Sequence, residues 1–230
     1  AGTTSETFGY DGASRVTKIT NDDVLTNTLV CRFAYDSLDN TTKDQQGSLS
    51  VDSVHDGEGN RTRITYPGGF SGPRRVLSVG IDDLDRMGSV ADGIGPIATW
   101  HSKGPTRLER RTYGPDATPI SKVDCTYDAY PREIVKAHAT GAGGMIARFE
   151  YGYDREHHRL FEKRVHDGSL GDVHAYDSVY RVKKNLQQVD LSAVPAGTEI
   201  LPELFGSPDS LEYAYDGVQN RTSHTKTVAS

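Results

Sequence analysis

The chain has 230 residues, of which 35% are hydrophobic, and its mean hydropathy is −0.59. Its 26 basic and 32 acidic residues give a net charge of −6, which argues against a nucleic-acid partner because phosphate groups need a basic surface. No apolar run approaches the roughly 18 residues of a membrane-spanning helix, so we expect no membrane insertion. The length fits one large β domain or two small ones, and the polar composition is typical of a repeat with a solvated outer face.

One short motif recurs along the chain: Tyr-Asp, three residues, and then Arg or Asn. It first appears as Tyr10-Asp11 with Arg15 and returns as far along as Tyr215-Asp216 with Asn220. Six of the twelve tyrosines directly precede an aspartate. With 22 aspartates in 230 positions, chance would give roughly one such pair, so the repeat is real.

Eight copies of the motif are recognisable. The copies at His55-Asp56 and Ile81-Asp82 have lost the tyrosine. In the copy at Tyr153, His158 stands at the last motif position, and we assign the basic role to Arg159, one residue later. The motif residues that we predict to close the hairpins are Tyr10, Asp11, Arg15, Tyr35, Asp36, Asn40, Asp56, Asn60, Asp82, Arg86, Tyr127, Asp128, Arg132, Tyr153, Asp154, Arg159, Tyr176, Asp177, Arg181, Tyr215, Asp216 and Asn220.

Taken in chain order, each copy predicts a β-hairpin with its aspartate at the end of the first strand. Runs before the aspartate, such as 29–35 and 211–215, are rich in β-forming residues and carry aromatic side chains two positions apart, on one face of a strand. Runs after the motif, such as 15–20, are also strand-like. The Gly, Asp and Asn residues between the two runs favour turns.

The motif residues suggest how each hairpin is held closed. We expect the aspartate carboxylate to accept hydrogen bonds from turn N–H groups, and the Arg or Asn four residues later to bond back to it. We also expect each tyrosine ring to stack on the tyrosine of the next copy.

These elements predict an all-β fold: a single array over residues 1–230 of tandem antiparallel β-hairpins, forming a coiled, spiralling sheet or an open shell segment. The usual spacing of 20 to 26 residues is broken twice, and we predict loop-rich insertions near 87–124 and 190–210. The first gap spans 46 residues, about two periods, and Tyr113-Gly114-Pro115-Asp116 is our candidate for a hidden copy.

Residues with metal-binding or catalytic chemistry lack the spacing that such sites need. The adjacent His157 and His158 would point to opposite faces of a strand, and the acidic run at 82–85 lacks the pattern of a calcium loop. No phosphate loop or nucleophile elbow is present. A device repeated eight times indicates folding rather than catalysis, so we predict no metal, no cofactor and no enzyme activity.

Three aromatic residues outside the motif are candidates for glycan binding if they are exposed: Trp100, Tyr113 and Tyr130. Core packing is the alternative for each of them. The two cysteines, Cys31 and Cys125, lie on predicted strands. They either pack as small hydrophobic residues or form a bridge if the strands are neighbours, and the sequence leaves this open.

On these residues the chain resembles the YD-repeat, or Rhs-repeat, family. The Tyr-Asp copies and the variants Gly59-Asn60-Arg61-Thr62 and Gln219-Asn220-Arg221-Thr222 carry the likeness across almost the whole chain. The family includes bacterial Rhs proteins, the shell components of insecticidal Tc toxins, wall-associated proteins and teneurins. The resemblance implies hairpins coiled into a spiralling sheet that forms a hollow shell around a toxic domain or serves as an adhesion scaffold.

Two features depart from the family pattern. The glycine of its turn survives only as Gly59, and the Asp-Pro-x-Gly motif that marks the self-cleaving end of Rhs shells is absent. The resemblance therefore implies neither an autoprotease nor a toxin in this chain.

We expect a non-catalytic scaffold: a segment of an Rhs-like shell, or a subunit that polymerises end to end into an extracellular filament or surface assembly. The alternative is a carbohydrate-binding adhesion module. The expected partners are other copies of this chain, through ends or sheet edges, or flanking repeats of a longer chain, and the expected location is extracellular or at the cell surface. Because the chain opens at Ala1 without Met, we expect a processed product or a piece of a longer polypeptide.

Overall fold

The computed structural model describes residues 5–22, 28–68, 73–206 and 209–228. Apart from one 3-10 turn at Pro202–Leu204, the regular structure in these residues is β-strand. The strands are β1 (Ser5–Tyr10), β2 (Val16–Asp22), β3 (Leu29–Tyr35), β4 (Thr41–Gln46), β5 (Leu49–His55), β6 (Arg61–Thr65), β7 (Val76–Ile81), β8 (Met87–Asp92), β9 (Pro96–Lys103), β10 (Arg107–Tyr113), β11 (Ser121–Tyr127), β12 (Glu133–Thr140), β13 (Met145–Tyr153), β14 (Arg159–Arg164), β15 (Leu170–Tyr176), β16 (Val182–Asp190), β17 (Asp209–Tyr215) and β18 (Arg221–Thr227).

The prediction of an all-β fold made of antiparallel hairpins is confirmed. Contacts divide the chain into two compact units, residues 1–100 with 114–116 and residues 101–113 with 117–230. The single array over residues 1–230 and the coiling of the sheet stay predictions.

In the first unit each strand from β1 to β8 pairs antiparallel with the strand that follows it in sequence. Its strands are mostly half-buried, and Ala98 is its one fully buried apolar side chain among the described residues. Because so few of its described side chains are fully buried, the unit is stabilised mainly by backbone pairing and by its turns rather than by a large core.

In the second unit the strands from β10 to β18 pair in the same sequential way. This unit does contain a core, and its buried members are Phe161, Val173, Leu186, Val189 and Leu191. Phe161, Val173 and Leu191 are completely shielded from solvent. Burial of such side chains stabilises a fold by about 1.5–3 kcal/mol each.

The two predicted loop-rich segments differ in the structure. Residues 87–124 are mostly strand (β8, β9, β10 and the start of β11), so the prediction of a loop-rich insertion there is wrong. Short turns join these strands, and the Pro and Gly residues that suggested loops lie largely in the turns. Residues 191–206 contain no strand, and their apolar side chains Val194, Ile200 and Phe205 pack against the core of the second unit.

A β-bulge precedes every recognised copy of the motif. The pairing register shifts by one residue where the first strand of each hairpin reaches the residue before the aspartate: Gly9/Tyr10, Ala34/Tyr35, Val54/His55, Gly80/Ile81, Thr126/Tyr127, Gly152/Tyr153, Ala175/Tyr176 and Ala214/Tyr215. Such a bulge next to a short hairpin loop increases the local twist of the strands. The motif therefore marks a bulge at the same point of eight hairpins.

Candidate functional site

The repeated turn consists of the motif aspartate, the three residues after it, and the Arg, Asn or His at the fifth position. In the first copy, Asp11 Oδ1 accepts hydrogen bonds from the backbone N–H groups of Ala13 (2.9 Å) and Arg15 (3.0 Å). Asp11 Oδ2 accepts one from Nε of Arg15 (2.7 Å), and two backbone bonds close the loop, from Asp11 N–H to the Arg15 carbonyl and from Ser14 N–H to the Asp11 carbonyl. One carboxylate thus organises the whole turn.

The same arrangement recurs at the other predicted aspartates. Where the fifth residue is asparagine, its Nδ2 donates to the aspartate Oδ2 at 3.1–3.2 Å, in the pairs Asp36/Asn40, Asp56/Asn60 and Asp216/Asn220. Where it is arginine, Nε donates at 2.7–2.8 Å, in the pairs Asp82/Arg86, Asp128/Arg132 and Asp177/Arg181. Charge-assisted bonds of the second kind are shorter and stronger than neutral ones.

The assignment of Arg159 to the turn is wrong, because His158 occupies the fifth position. His158 Nδ1 lies 2.9 Å from Oδ2 of Asp154, and its backbone N–H donates to Asp154 Oδ1 at 2.7 Å. Arg159 is the first residue of β14 and pairs with Glu162 at 2.9 Å instead. In the other seven copies the closing residue lies four positions after the aspartate, which corresponds to His158 here. Arg159 was the expected residue only because arginine carries a permanent positive charge.

The fourth position of the turn adopts a left-handed backbone conformation in seven copies. Gly59 has a φ of 87°, and the six other residues, which are not glycine, have φ between 56° and 72°: Ser14, Asp39, Asp85, His157, Tyr180 and Gln219. Side chains such as tyrosine rarely adopt this conformation, so hydrogen bonds of the turn must hold it. In the remaining copy Pro131 stands at this position and has no N–H to donate, yet Asp128 still accepts from the backbone of Arg132 at 3.2 Å.

Among the described residues, every motif tyrosine except Tyr10 links its own copy to the copy before it. The hydroxyl of Tyr35 donates to the carbonyl of Val16 at 2.9 Å, and Val16 directly follows the Arg15 of the preceding turn. The corresponding bonds, each 2.8–3.0 Å long, join Tyr127 to Leu108, Tyr153 to Glu133, Tyr176 to Arg159, and Tyr215 to Val182. This bond is a contact between neighbouring copies that the motif alone did not reveal.

The tyrosine ring is covered by the fifth residue of the preceding copy. The guanidinium of Arg15 lies 4.8 Å from the centre of the Tyr35 ring, and those of Arg132 and Arg181 lie at 4.9 Å and 4.4 Å from the rings of Tyr153 and Tyr215. The predicted stacking of tyrosine on tyrosine is wrong for the described part of the chain, where the tyrosine rings contact cations or imidazoles and none contacts another tyrosine ring. Cation–π contacts of this kind stabilise by about 0.5–1 kcal/mol at exposed sites.

The arginine also reaches past the ring to the next turn. Nη1 of Arg15 donates to the carbonyl of Asp36 at 3.0 Å, and Nη1 of Arg132 donates to that of Asp154 at 2.7 Å. His158 cannot extend so far, and its ring instead stacks on Tyr180 of the next turn with centres 4.8 Å apart. In these copies the fifth residue therefore holds its own turn closed and also contacts the following turn.

The contacts that a tyrosine makes with the preceding copy locate the hidden copy at Lys103–Arg107 rather than at 113–116. Tyr127 donates to the carbonyl of Leu108, and Arg107 lies 5.8 Å from the Tyr127 ring, so Arg107 holds the fifth position. A lysine replaces the aspartate in this copy, which is why the Tyr-Asp pattern did not find it.

The hydrogen bonds of the turn also lower the pKa of the aspartate carboxyl groups. The backbone N–H and the side chain of the fifth residue hold the pKa of the turn carboxylates below its ordinary value in Asp11, Asp36, Asp177 and Asp216. For Asp82 the side-chain bond from Arg86 lowers the pKa to about 2. The lowered pKa favours the charged form of these carboxylates, which is the form that accepts the hydrogen bonds of the turn.

The three glycan candidates lie in different surroundings. Trp100 and Tyr113 are half-buried, and Arg111 lies 5.0 Å from the Tyr113 ring. Tyr130 is 63% exposed. It lines a cavity of about 480 Å³ in the second unit together with Arg132, Asp154, Arg155, Gly197 and Glu199.

Other features of the described residues bear on chemistry. No group of three or more His, Cys, Asp or Glu among them is placed to hold a metal ion, and within the same ranges no helix is both long and apolar enough to cross a membrane. Both cysteines are free thiols. Burial raises the pKa of Cys125 to about 11, which makes it a poor nucleophile at neutral pH.

Comparison with known proteins gives matches among solved structures only, since no protein-family model and no curated protein matches the chain. The crystal structure of TcdB2-TccC3-Cdc42 is similar with a TM-score of 0.49 at 10% identity, over 96% of this chain and 14% of that one. The Tc holotoxin pore of Photorhabdus luminescens gives a TM-score of 0.46 at 10% identity, over 97% and 14% of the two chains. The crystal structure of TcdB2-TccC3 gives 0.48 at 9% identity, over 98% and 14%.

The chain thus spans about 14% of the length of these proteins. Similarity of this size assigns neither a family nor a function to it.

Proposed function

We propose that this chain is a non-catalytic structural scaffold, a run of linked β-hairpins that continues into further repeats as part of an extracellular shell or filament. The observation that supports it is the bond from each tyrosine to the preceding copy, which recurs at five places with the same geometry. A contact that recurs at five copies favours a role in holding neighbours together, whereas catalysis needs one differentiated site.

The shell form of this proposal rests on the resemblance of the repeats to the YD family. The filament form would join strand edges of separate copies, since an unpaired strand edge recruits another strand. For either form we propose an extracellular or cell-surface location, which rests on the same resemblance.

Amide hydrogen exchange of an Asp154→Ala variant tests the scaffold. Asp154 organises its own turn, and its carbonyl is bonded by Arg132 of the copy before. We expect faster exchange in β12 and β15 as well as in β13 and β14, because linked neighbours lose support on both sides.

The matched control is Asp167→Ala. Asp167 lies in the turn between β14 and β15, is 56% exposed, and contacts Arg164 only at 3.5 Å. Loss of the Asp167 carboxylate should speed amide exchange in that turn alone. If Asp154→Ala also loosened nothing beyond its own hairpin, the copies would not act as a linked scaffold.

A second candidate function is carbohydrate binding at the cavity beside Tyr130. An exposed aromatic face next to the guanidinium of Arg155 and the carboxylate of Glu199 offers an apolar surface for a sugar ring and groups that bond its hydroxyls. A glycan array read with the wild type, with Tyr130→Ala and with Tyr66→Ala tests it, since Tyr66 is a 40% exposed tyrosine outside the cavity. Absence of any glycan signal, or equal signals from both variants, would contradict this candidate.

A further inference from the structure

Three consecutive turns of the second unit carry aromatic residues at the surface: Tyr130 after β11, His157 after β13 and Tyr180 after β15. The rings of Tyr130 and His157 meet edge to face with centres 5.7 Å apart, and Tyr180 stacks on His158, the neighbour of His157, at 4.8 Å. Tyr130 is 63% and Tyr180 61% exposed, so these rings are not part of the core. We call Tyr130, His157 and Tyr180 the aromatic strip.

One member of the strip stands on a strained backbone. Tyr180 has a φ of 68°, a left-handed conformation that is unusual for a bulky side chain. The same turn position in the first unit is filled by glycine or by short side chains, namely Ser14, Asp39, Gly59 and Asp85. Strain of this kind concentrates where a side chain has a function, and burial does not account for a tyrosine that is mostly exposed.

One end of the strip opens into the cavity of about 480 Å³ beside Tyr130. Two charged side chains of this cavity, Arg132 and Asp154, are already engaged in the hydrogen bonds of their turns. The other two, Arg155 and Glu199, are 87% and 52% exposed, and Arg155 Nε lies 3.7 Å from Glu199 Oε2, beyond hydrogen-bond distance. Both groups are therefore able to bond a ligand.

We propose that the aromatic strip and this cavity together bind an unbranched, uncharged oligosaccharide, with its sugar rings stacked on the three aromatic side chains. This proposal rests on the carbohydrate-binding candidate and names its ligand class. The C–H face of a sugar ring packs on the face of an aromatic ring. A sugar hydroxyl both donates and accepts, so one hydroxyl can accept from Arg155 and donate to Glu199.

The charges of the cavity favour an uncharged ligand. Its two free groups are one cation and one anion, so a sulfated or carboxylated sugar would be repelled by Glu199 and a basic peptide by Arg155. A chain that offers only neutral polar groups satisfies both side chains.

The strip also predicts a minimum length for the ligand. The strands from β11 to β16 pair in sequential order, so the first and third turns are four strand spacings apart, or about 19 Å. A disaccharide in the cavity does not reach Tyr180, and we expect affinity to rise with the length of the chain.

Isothermal titration calorimetry of the full chain tests this length dependence. The probes are cello-, manno-, xylo- and chito-oligosaccharides, each as the disaccharide and as the hexasaccharide. In at least one series we expect the hexasaccharide to bind about tenfold more tightly than the disaccharide. A sulfated heparin hexasaccharide and a proline-rich peptide are the comparison ligands, and tighter binding of either one would overturn the proposal.

Tyr180→Gly separates a contact with the ligand from a role in folding. It should weaken binding of the hexasaccharide about tenfold and leave binding of the disaccharide unchanged. Its urea midpoint of unfolding should not fall, because glycine adopts the left-handed conformation without strain. The control is Tyr10→Ala, at a 60% exposed tyrosine of the first unit, which should not change the affinity. An unchanged hexasaccharide affinity in Tyr180→Gly would overturn the proposal.

Two outcomes separate this proposal from the function on which it rests. Disaccharide binding that Tyr130→Ala abolishes, with no gain for the hexasaccharide, would overturn the role of the strip and support carbohydrate binding at the cavity alone. Absence of binding in all four series would overturn the strip, and the glycan array then decides the carbohydrate-binding candidate by itself.

Discussion

The link between neighbouring copies makes a prediction for Tyr153→Phe. The hydroxyl of Tyr153 donates to the Glu133 carbonyl at 2.8 Å, and Arg132 lies 4.9 Å from the ring. Burial raises the pKa of Tyr153, so the hydroxyl lies in a partly desolvated place. Phenylalanine keeps the ring and its cation contact and removes one hydrogen bond, which contributes about 1 kcal/mol net. For a chain of this size that corresponds to a fall in Tm of about 2–4 °C.

Thermal and urea unfolding followed by circular dichroism measures the change, and Tyr10→Phe is the matched control. Tyr10 holds the same motif position in the first unit, but its hydroxyl has no partner among the described residues. We therefore expect its loss to change the unfolding free energy of a dilute, monomeric sample by less than about 0.3 kcal/mol, within the usual range of surface substitutions. Equal effects of the two variants would refute the argument that the tyrosine hydroxyl joins adjacent copies.

Three further predictions concern packing and charge. Gly152→Ala would drive a methyl group into a buried phenyl ring and a backbone carbonyl, so unfolding should become easier by about 1–3 kcal/mol. Gly217→Ala, with nothing within 4 Å of the added atom, should be nearly neutral in the same urea titration. Lys163→Met removes the 2.6 Å partner of the 10% exposed Glu150 carboxylate, which keeps Arg148 at 2.8 Å, and should destabilise by about 1–3 kcal/mol, a figure that circular dichroism melts would check. Because the folded pKa of Asp82 is lowered to about 2 from 3.8, its stabilisation is present above pH 3.8 and is lost as the pH falls through about 2; Asp82→Asn should flatten that part of an acid-unfolding curve.

The hairpins were predictable from the sequence because the motif specifies them locally. The acid, the turn and the fifth residue lie within five positions of one another, so their hydrogen bonds depend on few distant contacts. The side chain of Arg15, for example, donates the expected hydrogen bond to the Asp11 carboxylate. Even the copies without tyrosine, such as Asp56 with Asn60, keep the same bonds.

The links between copies were harder to predict because they join residues about 20 positions apart. The hydroxyl of Tyr35 donates to the backbone carbonyl of Val16. Every residue has such a carbonyl, so the residue type does not show which one accepts the bond. Stacking of rings was the simpler expectation, yet the registers of β2 and β3 place a cation there instead.

The turn glycine of the family proved to be a weaker signal than the aspartate. Tyr180 adopts a φ of 68° and His157 one of 72°, conformations that usually favour glycine. In both turns the aspartate accepts a backbone N–H of the fifth residue, at Arg181 and at His158. The loss of glycine therefore did not change the loop, because the carboxylate bonds offset the strain of the left-handed residue.

The second loop-rich segment shows what lies beyond a motif-based prediction. Its composition suggested a plain loop, but Leu191 is completely buried and the Lys163 ammonium bonds the carbonyl of Val194. The backbone N–H of Gly197 also donates to the carbonyl of Tyr151. This segment packs over the strands that hold the core of the second unit, so it supplies apolar surface that a sheet of thin, polar hairpins lacks. Repeats with local turns can tolerate weak cores because hydrogen bonds join each copy to its neighbour. The insertion adds apolar burial in the unit where one copy has histidine in place of arginine.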